Sequence, residues 1–201
     1  MEKIFLFCIT LMCCSLAVNA QSMTDVERSF LVKHLIDTKN YLHNAVDELS
    51  ETQLNFKASP ERWSIKECIE HIANTEILVA QKNTELIKQP SNPEKRSEVK
   101  NTDAQVINIL LDRSSKRKAP EILKPGKYTT AEAALLAYDQ QRDKTIEYCK
   151  TTRDDLRDHL APHVFLGMMD AYQWYLLVGA HQKRHTLQIE EVKAEENFPK
   201  K

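Results

Sequence analysis

An all-helical chain, folded as a four-helix bundle with a long crossover between its second and third helices, is the architecture this sequence predicts. Three observations carry that expectation. Four long stretches repeat apolar residues at three- and four-residue spacing, the period of a helix with one buried face. The chain has only three glycines in 201 residues, which disfavours antiparallel sheet, whose tight turns lean on glycine. Between the second and third helical stretches the sequence turns polar and rich in proline and lysine.

The first twenty residues read as a secretory signal peptide. Lys3 precedes an apolar run over 4–18, and Val18-Asn19-Ala20 supplies small residues ahead of a cut before Gln21. The run is too short and wrongly flanked for a membrane span. Cys13 and Cys14 follow Met12 and another cysteine, whereas a lipid-anchor site wants a small residue there. The expected product is exported, periplasmic or extracellular, with residues 21–201 forming one domain large enough for a full core.

The first helix is expected over 25–49. Thr24 and Glu27 form a capping box, in which each side chain satisfies an amide the helix leaves unpaired. Val26, Phe30, Leu31, Leu35, Tyr41, Leu42, Val46 and Leu49 recur at helical spacing. A second capping box, Ser64-Ile65-Lys66-Glu67, opens the second helix just after Trp63, and Pro90 bounds its end. The crossover spans 89–129 and holds a short helix capped by Thr102 and Gln105, docked through Val106, Ile107, Leu110 and Leu111. The third helix begins near Thr130 with Ala134, Leu135, Tyr138, Ile146 and Cys149 on its apolar face. An irregular stretch around Pro162 and Gly167 leads to the fourth helix, over 170–195.

Composition excludes several classes of function. With 28 basic and 29 acidic residues the net charge is −1, which offers no footprint for nucleic acid or an anionic membrane. Once a signal peptide leaves, Cys68 and Cys149 remain, and these read as buried packing residues rather than a disulfide framework. No serine-nucleophile motif or phosphate loop occurs.

Histidines carry the chemistry. In the fourth helix Trp174, Val178, His181, His185, Gln188 and Val192 follow one face, while Lys183, Arg184, Glu190, Glu191 and Lys193 take the outer one. Four-residue spacing stacks the two imidazoles, and burying them without a partner for their nitrogens is costly. The pair alone is a weak signal, since seven histidines produce roughly 0.24 such pairs by chance. A second pair, His159 and His163, brackets Pro162, which breaks regular helix, so these read as loop or surface residues. His34 and His43 do not share a helix face cleanly and read as ordinary helix residues. His71 taken alone reads as a hydrogen-bonded core histidine.

Context changes the reading of His71. The segments Trp63-Ser64-Ile65-Lys66-Glu67-Cys68-Ile69-Glu70-His71-Ile72 and His181-Gln182-Lys183-Arg184-His185-Thr186-Leu187-Gln188-Ile189 together resemble the DinB superfamily. In that family the second bundle helix opens with Trp-Ser-Ile-x-Glu and reaches a histidine four residues later, and the last helix carries His-x-x-x-His. Arg142 also stands where members often have arginine. The resemblance covers 25–195 and implies a DinB-like four-helix bundle with His71, His181 and His185 as metal ligands. The resemblance implies a divalent transition metal, zinc or nickel foremost, with iron, manganese or copper as further candidates. Three imidazoles by themselves suit zinc, nickel, copper or iron without choosing among them. One departure is Glu70, where the family often has a small residue. Its charge is expected about 100° around the helix from the ligand, toward solvent or an interhelical partner; turned inward it becomes a fourth ligand.

Three neutral ligands leave positions open, and a water there loses its proton more readily, its pKa moving from 15.7 to roughly 7. Glu67, one turn before His71, is the candidate proton carrier, though capping accounts for it more simply. Gln188 and Arg142 are candidates to line the pocket or orient a ligand. The leading expectation is an exported metal-dependent hydrolase acting on an unidentified small molecule. The thiol transferases of the family rank lower, since small thiols belong to the reducing cytoplasm. A non-catalytic metal-binding or interaction protein of the cell envelope is the alternative, and a bundle without metal the blandest. No nucleic acid and no membrane insertion after signal cleavage are expected. Apolar positions on the first helix leave a homodimer open.

Overall fold

The computed structural model describes residues 23–114 and 118–200. The signal peptide expected at 1–20 lies outside the described residues. Among the described residues six α-helices and one short hairpin follow in order: α1 Asp25–Val46, α2 Glu51–Asn55, α3 Ile65–Lys88, α4 Asp103–Leu111, α5 Ala131–Thr151, β1 Leu160–His163, β2 Gly167–Asp170 and α6 Ala171–Lys193, with two short 3-10 turns, Pro93–Glu98 and Glu121–Leu123, in the crossover. None of the described helices is long and apolar enough to cross a membrane.

The four long helices form the bundle. α1 packs on α5 and α6, and α3 packs on the same two. The first two long helices are therefore diagonal neighbours, as are the last two. α4, from the crossover, lies against α6.

Local chemistry sets the helix starts. Thr24, Ser64 and Thr102 each accept the amide three residues on, and Glu27, Glu67 and Gln105 return the bond to the cap amide. The first helix ends three residues short of the expected Leu49. Glu48 adopts φ +56°, a left-handed backbone that a helix cannot continue through. Ser50 and Gln53 then close a further capping box and begin α2.

The stretch expected to be irregular is an antiparallel hairpin, pairing Leu160 with Asp170 and His163 with Gly167. Gly167 takes φ +75° at its turn, so a single glycine supplies the left-handed residue that the turn requires. Scarcity of glycine bears on large sheets and does not forbid one hairpin. Asp170 ends β2 and caps α6 by accepting the Gln173 amide at 2.8 Å.

In all four long helices the buried apolar residues divide into two groups along the axis. One contains Leu31, Leu35, Val79, Ile146, Cys149 and Leu176; the other contains Leu42, Cys68, Ile69, Ile72, Tyr138 and Ile189. Between them lies a polar layer with one residue from each helix: Thr38, Glu76, Arg142 and Gln182. Arg142 is fully buried and donates to both Glu76 oxygens at 2.8 and 2.7 Å, to the Leu35 carbonyl at 3.0 Å and to Thr38 Oγ1 at 3.0 Å. Such a pair tolerates burial because partners satisfy the guanidinium on several sides. Cys68 and Cys149 are free and buried, and they fall in opposite halves of the core. Burial pushes both thiols up to about 12, which leaves them unreactive packing groups.

Candidate metal centre

His71 sits in the second turn of α3, and His181 and His185 project from the middle of α6. Because α3 and α6 pack side by side, imidazoles distant in sequence share one seam. His71 Nε2 lies 3.1 Å from His181 Nε2. Ring centroids are 4.9 Å apart for His71 and His181, and 4.5 Å apart for His185 with each of the others. One nitrogen from each ring falls within 4.8 Å of the other two. His71 is buried, whereas His181 and His185 keep partial exposure.

Neighbours fix the rings. His71 Nδ1 bonds the Leu123 carbonyl at 2.8 Å, which assigns the proton to Nδ1 and leaves a lone pair on Nε2. His185 Nδ1 lies 2.9 Å from Gln188 Oε1, with the same consequence. Of the two residues expected to line the pocket, Gln188 therefore orients a histidine. Arg142 does not reach the cluster; it is committed to the polar layer. Trp63 covers the site, its ring 4.9 Å from His71 and 6.0 Å from His185.

Burial holds all three imidazoles below the usual histidine range. Desolvation leads for His71, with the Leu123 carbonyl opposing it. His181 is pushed well down by burial and then by the neighbouring His185 and His71. His185 falls to about 3, through burial and then His71. Neutral rings with free lone pairs at neutral pH are the form that binds metal.

The donor set fits a metal ion. Two nitrogens at 2.0–2.1 Å from a tetrahedral ion stand about 3.3 Å apart, close to the 3.1 Å between His71 and His181. No carboxylate or thiol of the described residues joins the cluster. Such a ligand set belongs to an ion with coordination positions left over.

The two glutamates near His71 are occupied. Glu67 accepts the Ser64 amide at 2.7 Å and the Lys57 ammonium at 3.0 Å, so it is a cap and an ion-pair partner at the helix entrance. Glu70 faces neither solvent nor the cluster. It is 1% exposed and accepts the amides of Gly126, Lys127 and Tyr128, making the crossover its partner.

The remaining histidines lie elsewhere. His159, expected in a loop or at the surface, is buried, with Nδ1 2.7 Å from the Asp155 carbonyl and Nε2 3.0 Å from the Gln89 carbonyl. His163 stacks edge-on against Phe165 and Trp174. His43 lies 2.7 Å from Asp139, and His34 Nε2 3.1 Å from the Leu176 carbonyl.

Sequence reasoning missed the parts played by Trp63, placed there only just ahead of the second capping box, and by Leu123. Trp63 precedes the helix by two residues, and nothing local indicates that its ring folds back over His71. The Leu123 carbonyl depends on the path of the crossover.

Comparisons with known proteins agree with this architecture. The sequence model of the DinB superfamily matches residues 34–189. The uncharacterized protein YuaE of Bacillus subtilis strain 168 is 26% identical over 151 residues, covering 75% of this chain and 89% of that protein. Among solved structures, YfiT from Bacillus subtilis aligns with a TM-score of 0.59 at 12% identity, over 86% of this chain and 89% of its own. YfiT is described as a probable metal-dependent hydrolase with an unusual four-helix bundle topology.

Proposed function

The chain belongs to the DinB superfamily, and on that premise we propose that it is an exported metal-dependent hydrolase of small molecules. One observation carries the reading: three neutral imidazoles meet on the α3–α6 seam with no carboxylate or thiol of the described residues beside them. The description of YfiT as a probable metal-dependent hydrolase supports it by likeness of fold. Export rests on the signal-peptide pattern over 1–20.

His71, His181 and His185 would hold a divalent ion, which when bound would supply Lewis acidity toward a carbonyl or phosphoryl oxygen and toward water. The chain's own contribution is positional. Leu123 and Gln188 hold two rings by Nδ1, leaving Nε2 as the donor atom. Trp63 closes one side with an apolar wall, excluding water and offering a face for an apolar part of the substrate.

The test is a panel of esters, amides and phosphoesters assayed with zinc- or nickel-loaded protein. Turnover of one class, abolished by chelation and by His181→Ala, supports the hydrolase. Stoichiometric metal without turnover of any class favours a non-catalytic envelope protein. The commitment of both Glu67 and Glu70 to structural partners favours that second reading, because it leaves the metal centre without a nearby free carboxylate base from α3.

A further inference from the structure

Glu70 is a buried carboxylate beside a ligand histidine, and burying a carboxylate is costly unless it is fully hydrogen-bonded. Its Oε2 accepts the amides of Gly126 at 2.6 Å, Lys127 at 3.1 Å and Tyr128 at 3.4 Å. Successive amides converging on one oxygen form an anion-binding nest. Lys66 Nζ stands 3.6 Å from the other oxygen, balancing the charge.

The same turn of α3 grips the crossover twice more. His71 Nδ1 meets the Leu123 carbonyl at 2.8 Å, and Asn74 Nδ2 meets the Lys124 carbonyl at 3.3 Å. Leu123 and Gly126 are three positions apart in the chain, a reach of at most about 10 Å. Pinning the amides at 126–128 therefore confines where the Leu123 carbonyl sits. That carbonyl sets which nitrogen of His71 carries the proton and how the ring lies.

We propose that Glu70 is a positioning residue for the histidine centre, anchoring the crossover so that Leu123 holds His71 with Nε2 turned toward His181 and His185. The inference rests on the metal-centre reading. It adds that the crossover belongs to the site and that a residue absent from the ligand set governs its affinity. Partners that orient ligands typically change metal affinity by 10–100-fold.

The experiment compares wild type, Glu70→Ala and Glu70→Gln. Zinc affinity is read by competition with a chromophoric chelator. In metal-free protein, the imidazole ¹H–¹⁵N spectrum reports the His71 tautomer, and hydrogen exchange reports the amides at 126–128. Glu70→Ala is expected to weaken zinc binding about tenfold or more, to lose the His71 Nδ1–H signature and to deprotect those amides. Glu70→Gln retains an acceptor oxygen and is expected to fall between alanine and wild type in all three readouts. If Glu70→Ala does not fold, the glutamine variant decides. Wild-type affinity together with an unchanged His71 spectrum overturns the proposal. So does weaker binding with the His71 tautomer and the 126–128 amides unchanged. Failure of wild type to bind zinc overturns the metal reading instead, and the two measurements on metal-free protein tell these failures apart.

Discussion

His71 and His181, 110 residues apart in sequence, face each other Nε2 to Nε2 across 3.1 Å. That spacing is close to what two ligand nitrogens on one tetrahedral ion require, so the pairing is sensitive to any change in either partner. Alanine at His71, His181 or His185 removes one of three donors and is expected to abolish stoichiometric zinc or nickel, measured by elemental analysis after dialysis. The double variant His159→Ala/His163→Ala leaves the cluster intact and should keep wild-type metal content. Loss of metal in that variant would move the site to the hairpin end of the molecule.

Trp63 is well placed to report occupancy. The chain has two tryptophans, and Trp63 lies 4.9 Å from the His71 ring, whereas Trp174 packs near Lys82 and His163. Paramagnetic Ni²⁺ or Cu²⁺ in the cluster should quench Trp63 emission strongly. Trp63→Phe is expected to remove most of the metal-dependent quenching, and Trp174→Phe to preserve it. The reverse pattern would place the ion away from Trp63.

The polar layer is the structural weak point of the bundle. Arg142 and Glu76 are both buried, 0% and 1% exposed. Removing one partner strands the other charge and is expected to cost about 3–5 kcal/mol. Arg142→Ala and Glu76→Ala should each shift the urea midpoint sharply. Replacing both with apolar residues of similar volume should recover much of the loss, as measured by a double-mutant cycle. A cycle with no coupling between the two positions would show that the bonds at 2.8 and 2.7 Å contribute little.

Stability should depend on pH through the buried histidines. Burial lowers His34, His71, His181 and His185 in the folded protein, against about 6.5 in the unfolded chain. Unfolded chains therefore bind more protons as pH falls below about 6.5, and the folded state loses stability there, by up to about 1.4 kcal/mol per pH unit for each histidine. Asp170, raised by burial, opposes this: its contribution is present at low pH and lost as pH rises through its folded value. Glu27 and Glu191, both lowered, add to the acid loss only below about 4.5. Metal-free protein is thus expected to melt markedly lower at pH 5.5 than at pH 7.5. A flat melting profile across that window would mean the histidines are not desolvated in the folded state.

What the sequence revealed, and what it hid, follows from the range of each interaction. Thr24 with Glu27, Ser64 with Glu67 and Thr102 with Gln105 act within one turn, so helix starts were legible. The stacking of His181 over His185 is equally local, and family resemblance supplied His71. Glu70 was not legible, because its partners lie 56 to 58 residues downstream in a segment without periodicity. Arg142 was visible as a residue worth attention, yet its partner Glu76 looks like any charged helix residue until four helices are assembled around it. The hairpin at 160–170 was hidden because composition is an average, and one glycine at position 167 suffices for one turn.

The contact between α1 and α6 gives the sharpest packing test. Gly179 lies under His34, and a Cβ built on it would stand 2.4 Å from His34 Nε2. That nitrogen is also 3.1 Å from the Leu176 carbonyl, so His34 cannot yield without losing a bond. Gly179→Ala is therefore expected to destabilise by about 1–3 kcal/mol despite the better helix propensity of alanine. In a His34→Ala background the obstruction is gone, and the same substitution should become neutral or stabilising by up to about 1 kcal/mol. Urea unfolding of the four proteins of this cycle checks the reversal of sign. If Gly179→Ala has the same effect in both backgrounds, His34 is not what requires glycine at that position, and the close approach of α1 to α6 has another cause.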